Sequence, residues 1–113
     1  MRHLISLRAL ALILICVLAG AVLRAQTAGT IRGAVVDDDG KALAGVRVEA
    51  TSGASGSRVA TTGKDGQFRF SLVPPGNYKV RFTRESYSEV EKNAVVRLDS
   101  TATVNAKLFR LGA

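Results

Sequence analysis

The chain is poor in the residue types that most often carry catalytic or metal chemistry. Its 113 residues include one cysteine, one histidine and no tryptophan, and both Cys16 and His3 lie within the first 25 residues. From residue 26 onward, a Ser-His-Asp or Cys-His nucleophile, a histidine-based zinc site and a disulfide framework are therefore excluded. We expect no enzymatic activity, no bound metal and no cofactor.

Acidic side chains are the remaining candidates for acid-base catalysis. Glu85, Glu89 and Glu91 are close in sequence, but they lie in a polar stretch with Lys92 beside them. Exposed acids lack the burial that shifts the pKa of a carboxyl group to a value useful for catalysis. We interpret this stretch as a solvated loop.

The first 25 residues have the layout of a secretory signal peptide. Basic residues precede an apolar run over residues 9–23, which ends near small residues suited to cleavage. Cleavage after Ala25 is favoured over cleavage after Ala21, because the sequence turns polar at Gln26. A retained membrane anchor is the alternative, but the run is short of the roughly 20 residues that a spanning helix needs.

Removal of this segment would leave one small, mildly basic domain. Of the 16 Lys and Arg residues, 13 remain against all 9 Asp and Glu residues, so the net charge falls from +7 to about +4. The remaining 88 of the 113 residues suffice for one core and leave no room for a separate catalytic module. We therefore predict a signal peptide at residues 1–25 and a single domain at residues 26–113.

The region from Thr61 to Tyr87 has the clearest structural pattern. Two turns, at residues 65–66 (Asp-Gly) and 74–77 (Pro-Pro-Gly-Asn), separate runs in which apolar and polar residues alternate with a period of two. One predicted strand presents Phe68, Phe70 and Leu72 on a single face, and the facing strand presents Tyr78, Val80 and Phe82. Two half-buried strands need a second sheet to cover them, so the pattern predicts a small β-sandwich.

The rest of the domain has the same alternation and no sustained helical period. Further strands are predicted at residues 30–36, 45–51, 58–62, 93–98 and 101–108. The first two of these form a hairpin-like pair around the turn at residues 37–41, and residues 52–57 form a Gly/Ser-rich connection. We predict an all-β fold, an antiparallel sandwich of about seven strands, with the order of the strands left open.

Several short runs together form a distinctive strand-turn pattern. They are residues 29–37 (GTIRGAVVD), then Gly40, Leu43, Gly45, Val46 and Val48, then residues 65–70 (DGQFRF) and 74–78 (PPGNY). This pattern resembles the carboxypeptidase regulatory-like domain from Gly29 to about Leu108. The sequence departs from that family at Ala42, where a proline is common, and at Ser86, where a glycine is common.

The resemblance implies a transthyretin-like, immunoglobulin-like β-sandwich, a fold also grouped with carbohydrate-binding domains. Such domains occur beside carboxypeptidases, at the N-terminus of TonB-dependent outer-membrane receptors, and alone in secreted proteins. The chain is thus either a free-standing exported domain or the leading part of a larger receptor. We expect it to be periplasmic, associated with the outer membrane, or secreted.

Two functions follow as expectations. The first is a non-enzymatic binding or structural module with weak affinity for carbohydrate, such as a cell-envelope glycan. The alternative is a protein-interaction domain of a TonB-dependent receptor system, whose partner is an outer-membrane or secreted protein bound through a sheet edge or loop. Neither involves nucleic acid, and a membrane enters only through export or an outer-membrane partner.

Tyr87 is the candidate for contact with a glycan. Sugar binding often uses an exposed aromatic ring, and Tyr78 is in phase with Val80 and Phe82 and so is predicted to be buried. This leaves Tyr87, in a polar loop, as the best exposed aromatic residue. The alternative is that Tyr87 covers the end of the sandwich and contributes about 1.5–3 kcal/mol of stability.

Two charged features complete the set of candidates. The outward positions of the predicted strands include four cations that could attract an anionic ligand, interrupted by Glu49: they are Arg47, Arg69, Lys79 and Arg81. The alternative is a solvated sheet face whose charges discourage edge pairing. The run Asp37-Asp38-Asp39-Gly40 partly matches a calcium loop, but Val46 stands where the closing Glu would be, so we predict a polar turn.

Overall fold

The computed structural model describes residues 28–112, and the predicted signal peptide lies outside them. This part of the chain forms eight strands: β1 (Gly29–Val36), β2 (Arg47–Ser52), β3 (Gly56–Thr61), β4 (Gln67–Val73), β5 (Gly76–Thr83), β6 (Val90–Val96), β7 (Thr101–Thr103) and β8 (Ala106–Lys107). Within it there is no helix with the length and hydropathy needed to cross a membrane. The all-β prediction is confirmed.

The strands form two sheets. In the first sheet the order is β4-β1-β7, with β8 also paired to β1, and in the second sheet it is β3-β2-β5-β6. The predicted hairpin-like pairing of the first two strands is wrong, because β1 and β2 lie in different sheets and the loop between them crosses the sandwich. Most neighbours are antiparallel, but β7 and β8 run parallel to β1.

The alternating residues of both sheets meet in one hydrophobic core. Phe68 of the first sheet contacts Phe82 of the second in an edge-to-face arrangement, with ring centroids 5.6 Å apart. The buried apolar residues are Ile31, Val35, Leu43, Val46, Val48, Ala50, Phe68, Phe70, Val73, Tyr78, Val80, Phe82, Ala94, Val96, Val104, Ala106 and Leu108. Within residues 28–112 both sheets thus contribute to one hydrophobic core, which is what a domain needs in order to fold independently.

Strand β4 contains a bulge that breaks its alternation. Gly29 pairs with Val73 and Ile31 pairs with Phe70, so two residues of β4 lie opposite one residue of β1. Leu72 adopts a left-handed conformation with φ of 54° and is 75% exposed. The prediction that it shares the buried face with Phe68 and Phe70 is wrong, because the bulge turns it outward and puts Val73 into the core.

The last predicted strand, residues 101–108, is interrupted. Ala34 N of β1 donates its hydrogen bond to the side chain of Asn105, at Oδ1 and 3.0 Å, and not to a backbone carbonyl of a neighbouring strand. The Val104 carbonyl lies so close to Gly33 that a Cβ there would be 1.7 Å from its oxygen. This close approach separates β7 from β8, which accounts for eight strands instead of about seven.

One buried hydroxyl joins the loops at the end of the sandwich where β1 finishes. Thr62 is 4% exposed, and its Oγ1 accepts from Val46 N at 3.0 Å and donates to Leu43 O at 2.7 Å. Both backbone groups belong to the loop that crosses between the sheets. The hydroxyl therefore fixes the start of β2 against the chain that follows β3.

Replacing Thr62 with valine is expected to lower the free energy of unfolding by about 2 kcal/mol, because a buried N–H and a buried C=O lose their partner. Urea denaturation followed by circular dichroism measures the change. The matched control is Thr61→Val on the exposed face of β3, which should stay within about 0.5 kcal/mol of the parent. Equal effects of the two substitutions would contradict this role of the hydroxyl.

Candidate functional site

The structure divides the four cations that were predicted to share one outward face. Arg47, Lys79 and Arg81 lie on β2 and β5 and project from the outer face of the second sheet. Arg69 lies on β4, so it projects from the outer face of the first sheet, on the opposite side of the sandwich. The placement of Arg69 with the other three is therefore wrong, because β4 and β5 belong to different sheets.

Arg47, Lys79 and Arg81 are each paired with an acid. The salt bridges are Arg47–Glu49 at 3.1 Å, Lys79–Glu91 at 3.8 Å and Arg81–Glu89 at 2.8 Å. Glu91 thus lies in strand β6, outside the loop predicted for it. Exposed pairs of this kind contribute little to stability, but they neutralise this face.

A polar groove lies along the outer face of the first sheet and reaches β3 at the edge of the second sheet. Arg32 of β1 is the direct cross-strand partner of Arg69, and on its other side it is in register with Thr103 of β7. The next positions along the same face are Gln67 and Ala34. We call this feature the Arg32 groove; it has a volume of about 550 Å3 and is lined by Arg32, Gly33, Ala34, Ala60, Thr61, Asp65, Gln67, Phe68, Arg69, Thr103 and Asn105.

The Arg32 groove is concave because a short side chain lies between longer ones. Ala34 is a short residue with Gln67 on one side and Asn105 on the other, so the two amides flank a depression. Asp65 Oδ1 accepts a hydrogen bond from Gln67 N at 3.0 Å, which orients the carboxylate toward the backbone of its own turn. Within residues 28–112, neither Arg32 nor Arg69 forms a salt bridge, in contrast to Arg47, Lys79 and Arg81 of the second sheet.

Arg32 was missed from the sequence. The alternation within residues 29–37 places it outward, but its neighbour across the strands depends on which strands pair. Since β1 pairs with β4, the two arginines meet, and no local pattern reveals that pairing. The signal available in the sequence was that Arg32 and Arg69 each face outward in their own strand.

Tyr87 lies at the opposite end of the molecule from the start of β1, in the loop between β5 and β6. It is half-buried against the core, and its backbone bridges to Arg110 in the C-terminal segment. The guanidinium carbon of Arg84 is 5.2 Å from the ring centroid and that of Arg110 is 5.8 Å away. The ring thus already contacts two cations, which reduces the surface left for a sugar.

The C-terminal segment is attached to this loop by several hydrogen bonds. Ser88 N donates to Phe109 O at 2.8 Å, and Phe109 N donates to Ser88 Oγ at 2.9 Å. Arg110 donates to the Tyr87 hydroxyl at 3.3 Å, and this hydrogen bond, together with the nearby charge of Asp38, raises the pKa of Arg110 above its ordinary value. Ser86, where the family often has glycine, has a positive φ of 71°. These contacts favour a covering role for Tyr87.

The run Asp37-Asp38-Asp39 forms a turn, as predicted. Carboxylate oxygens of the three residues lie within 4.8 Å of one another. However, Asp37 Oδ1 already accepts from Asp39 N at 2.9 Å and from Lys41 N at 3.0 Å. These bonds are those of a turn that stabilises its own backbone.

The two sheets and the mixed pairing of β1 define a transthyretin-like β-sandwich domain. The profile of the carboxypeptidase regulatory-like domain matches residues 30–109. The TonB-dependent transporter Oar of Myxococcus xanthus is 35% identical over 83 residues, which cover 71% of this chain and 8% of that protein. The chain belongs to the carboxypeptidase regulatory-like domain family, and it spans less than a tenth of the length of this curated relative.

Solved structures share the fold at low sequence identity. The minor pilin GBS52 of Streptococcus agalactiae superposes with a TM-score of 0.65 and 20% identity, over 78% of this chain and 47% of the pilin. A proposed carbohydrate-binding protein of Pseudomonas aeruginosa, PA1324, has a TM-score of 0.58 and 16% identity, over 73% of this chain and 90% of its own. At these identities the likeness shows the fold alone.

The same fold also occurs in an enzyme. A 3-chlorocatechol 1,2-dioxygenase of Rhodococcus opacus 1CP has a TM-score of 0.58 and 14% identity, over 73% of this chain and 59% of the dioxygenase. The family is that of a regulatory-like domain, and several of the similar structures are pilin subunits. The fold by itself therefore does not decide between catalysis and binding, and the function has to be argued from the site.

Proposed function

We propose that this domain is a non-catalytic glycan-binding module of the cell envelope. The observation that carries the proposal is the Arg32 groove, where polar side chains from three neighbouring strand segments surround the short side chain of Ala34. A rigid sheet holds these groups at fixed spacing, so their geometry is established before a ligand arrives.

The chemistry of the groove suits the hydroxyl groups of a sugar. Gln67 and Asn105 offer amides and Thr103 offers a hydroxyl, groups that both donate and accept hydrogen bonds. Because Asn105 Oδ1 accepts from Ala34 N, its Nδ2 group is the end of the amide that remains for a ligand. No histidine or cysteine occurs after residue 16 to support catalysis in the same place.

The comparisons support a location in the envelope and a role in binding. The relative Oar is a TonB-dependent transporter, which favours an exported domain that is periplasmic, associated with the outer membrane, or secreted. PA1324, which shares the fold, has itself been proposed to bind carbohydrate. Oar and PA1324 support the proposal by similarity, whereas the Arg32 groove is a feature of this chain itself.

A glycan array and a polysaccharide pull-down with purified residues 26–113 test the proposal. We expect saturable binding that Gln67→Ala weakens about threefold to tenfold, the loss expected for one neutral hydrogen bond. The matched control is Asn93→Ala, which removes an exposed amide from the outer face of the second sheet and should leave binding unchanged.

Tyr87→Ala distinguishes the two possible positions of a glycan. Binding that survives Tyr87→Ala and falls with Gln67→Ala supports the groove. Binding lost only in Tyr87→Ala would place the sugar at the half-buried ring, and absence of binding to every glycan would overturn the proposed function.

A second candidate is protein interaction within an outer-membrane receptor system. Leu72 favours it, because this large apolar side chain is 75% exposed and its positive φ costs about 1–3 kcal/mol. Arg58 Nη1 donates to Leu72 O at 3.3 Å and helps to hold this conformation. Chemical crosslinking of the parent and of Leu72→Asn in envelope extracts separates this function from the first, since only a protein contact would be lost in the variant.

A further inference from the structure

We infer that the Arg32 groove selects carboxylate-bearing glycans, which are polymers or oligomers of uronic acids, through Arg32 and Arg69. This inference rests on the proposed glycan-binding function and adds the chemical class of the ligand. The two arginines would hold a sugar carboxylate, while the amides and the hydroxyl of the groove would bind ring hydroxyls.

Two like charges lie directly opposite each other on β1 and β4. Arg32 and Arg69 are register partners on adjacent antiparallel strands, where Cβ atoms are typically about 4.5–5.5 Å apart. Like charges in this position destabilise a sheet. An anion bound between them would offset that repulsion. Part of the binding free energy would therefore come from removing the electrostatic repulsion between the two arginines.

The outer faces of the two sheets differ in whether their arginines are paired with acids. On the second sheet, Arg47, Lys79 and Arg81 each have a carboxylate partner within 4.0 Å. On the first sheet, Arg32 and Arg69 form no such pair within residues 28–112, although Asp65 lines the same groove. These two unpaired charges thus lie side by side on a concave polar surface, where a ligand can reach them.

The geometry of two adjacent arginine side chains suits a carboxylate. A guanidinium group presents donors in a planar fork that matches the two oxygens of a carboxylate. Adjacent strands lie about 4.8 Å apart, which allows both forks to approach one carboxylate or two successive ones along a chain. A neutral sugar could use only the amides and hydroxyls, so it would bind without the charge-assisted contacts.

The same features disfavour other anions. Recognition of anionic lipid usually needs clusters of about four to eight basic residues, whereas this groove has two and includes an acid. Export from the cell would also disfavour nucleic acid as the ligand. An acidic peptide would bring carboxylates, but it would leave Thr103 and Asn105 without the hydroxyl groups that a sugar supplies.

The test compares oligogalacturonate with its carboxyl-reduced form, a neutral oligosaccharide of the same length and linkage. Isothermal titration calorimetry with residues 26–113 should show tighter binding of the charged form. Arg32→Ala with Arg69→Ala should weaken that binding about a hundredfold, roughly tenfold for each charge-assisted contact. Binding of the neutral form should be little changed by these two substitutions.

Two further variants separate recognition from overall charge. Arg47→Ala with Arg81→Ala changes the net charge equally on the opposite face and should leave the affinity within about twofold. Arg32→Lys with Arg69→Lys keeps the charge but loses the planar fork, so it should still weaken binding severalfold. A loss of affinity in the Arg47/Arg81 variant as large as in the Arg32/Arg69 variant would overturn the inference.

The outcomes also distinguish failure of this inference from failure of the proposed function. Equal binding of the charged and neutral forms would overturn carboxylate selection and leave glycan binding intact. Binding of neither form, nor of any glycan on the array, would overturn both. Stronger binding of poly-glutamate or of anionic vesicles than of oligogalacturonate would also overturn the inference, since another class of anion would then be preferred.

Folding of the double variant can be checked directly. Because the alanines remove a repulsive pair from exposed positions, the variant without ligand should be at least as stable as the parent. A lost affinity together with an unchanged thermal midpoint assigns the effect to recognition. A variant that unfolds is replaced in the same titration by Arg32→Gln with Arg69→Gln, whose polar side chains retain more of the parent's volume.

Discussion

Replacing Gly33 with alanine is expected to lower the free energy of unfolding by at least about 3 kcal/mol. A Cβ at this position would lie 1.7 Å from Val104 O, 2.6 Å from Val104 C and 2.9 Å from Phe68 Cε1. Two of these atoms are backbone, so no side-chain rotation relieves the contact. The segment between β7 and β8, which contains Val104, would have to move away from β1. Val104 N would then lose its hydrogen bond to Arg32 O.

Urea denaturation with fluorescence or circular dichroism measures this change. Gly53→Ala is the matched control, because a Cβ there has no neighbour within 4 Å and Gly53 does not need a positive φ. It should stay within about 0.5 kcal/mol of the parent. Equal stability of the two variants would show that β7 and β8 are not held against β1 as described.

Replacing Phe82 with alanine is expected to cost about 3–5 kcal/mol, the range for removing a buried aromatic ring. Phe82 has no exposed surface and contacts Phe68 of the opposite sheet at a centroid distance of 5.6 Å. The substitution leaves a cavity between the sheets and removes an aromatic contact that links them. Since small domains are stable by only about 5–15 kcal/mol, the variant should be close to unfolding at room temperature.

Thermal denaturation of Phe82→Ala and Phe109→Ala measures the difference. Phe109 is 54% exposed in the C-terminal segment, so the same chemical change should cost much less there. An equal loss at both positions would contradict a core centred on the contact between Phe82 and Phe68.

The sequence predicted the class of fold well because burial and alternation coincide in most strands. Tyr78, Val80 and Phe82 are all buried, as expected from the period of two in β5. Leu72 was misplaced because a bulge changes the phase of alternation without any change in composition. Glycine is the usual residue in such a left-handed position, and a leucine there gives no local signal.

The candidate site was harder to predict, because it depends on contacts between distant segments. Arg69 was identified as outward-facing, but its partner Arg32 follows only from the pairing of β1 with β4. Tyr87 was correctly placed in a loop beside a strand. Its contacts with Arg84 and Arg110 come from the return of the C-terminal segment, which no nearby pattern in the sequence indicates.

The central claim is that the outer face of the first sheet binds glycan at Arg32 and Arg69. The most direct measurement is a titration of 15N-labelled residues 26–113 with oligogalacturonate, followed by amide chemical shifts. We expect saturable shifts concentrated at residues 32–34, 67–69 and 103–105, with little change at Tyr87 and on β5. Shifts confined to the loop around Tyr87 or to the second sheet, or no shifts at saturating ligand, would contradict the claim.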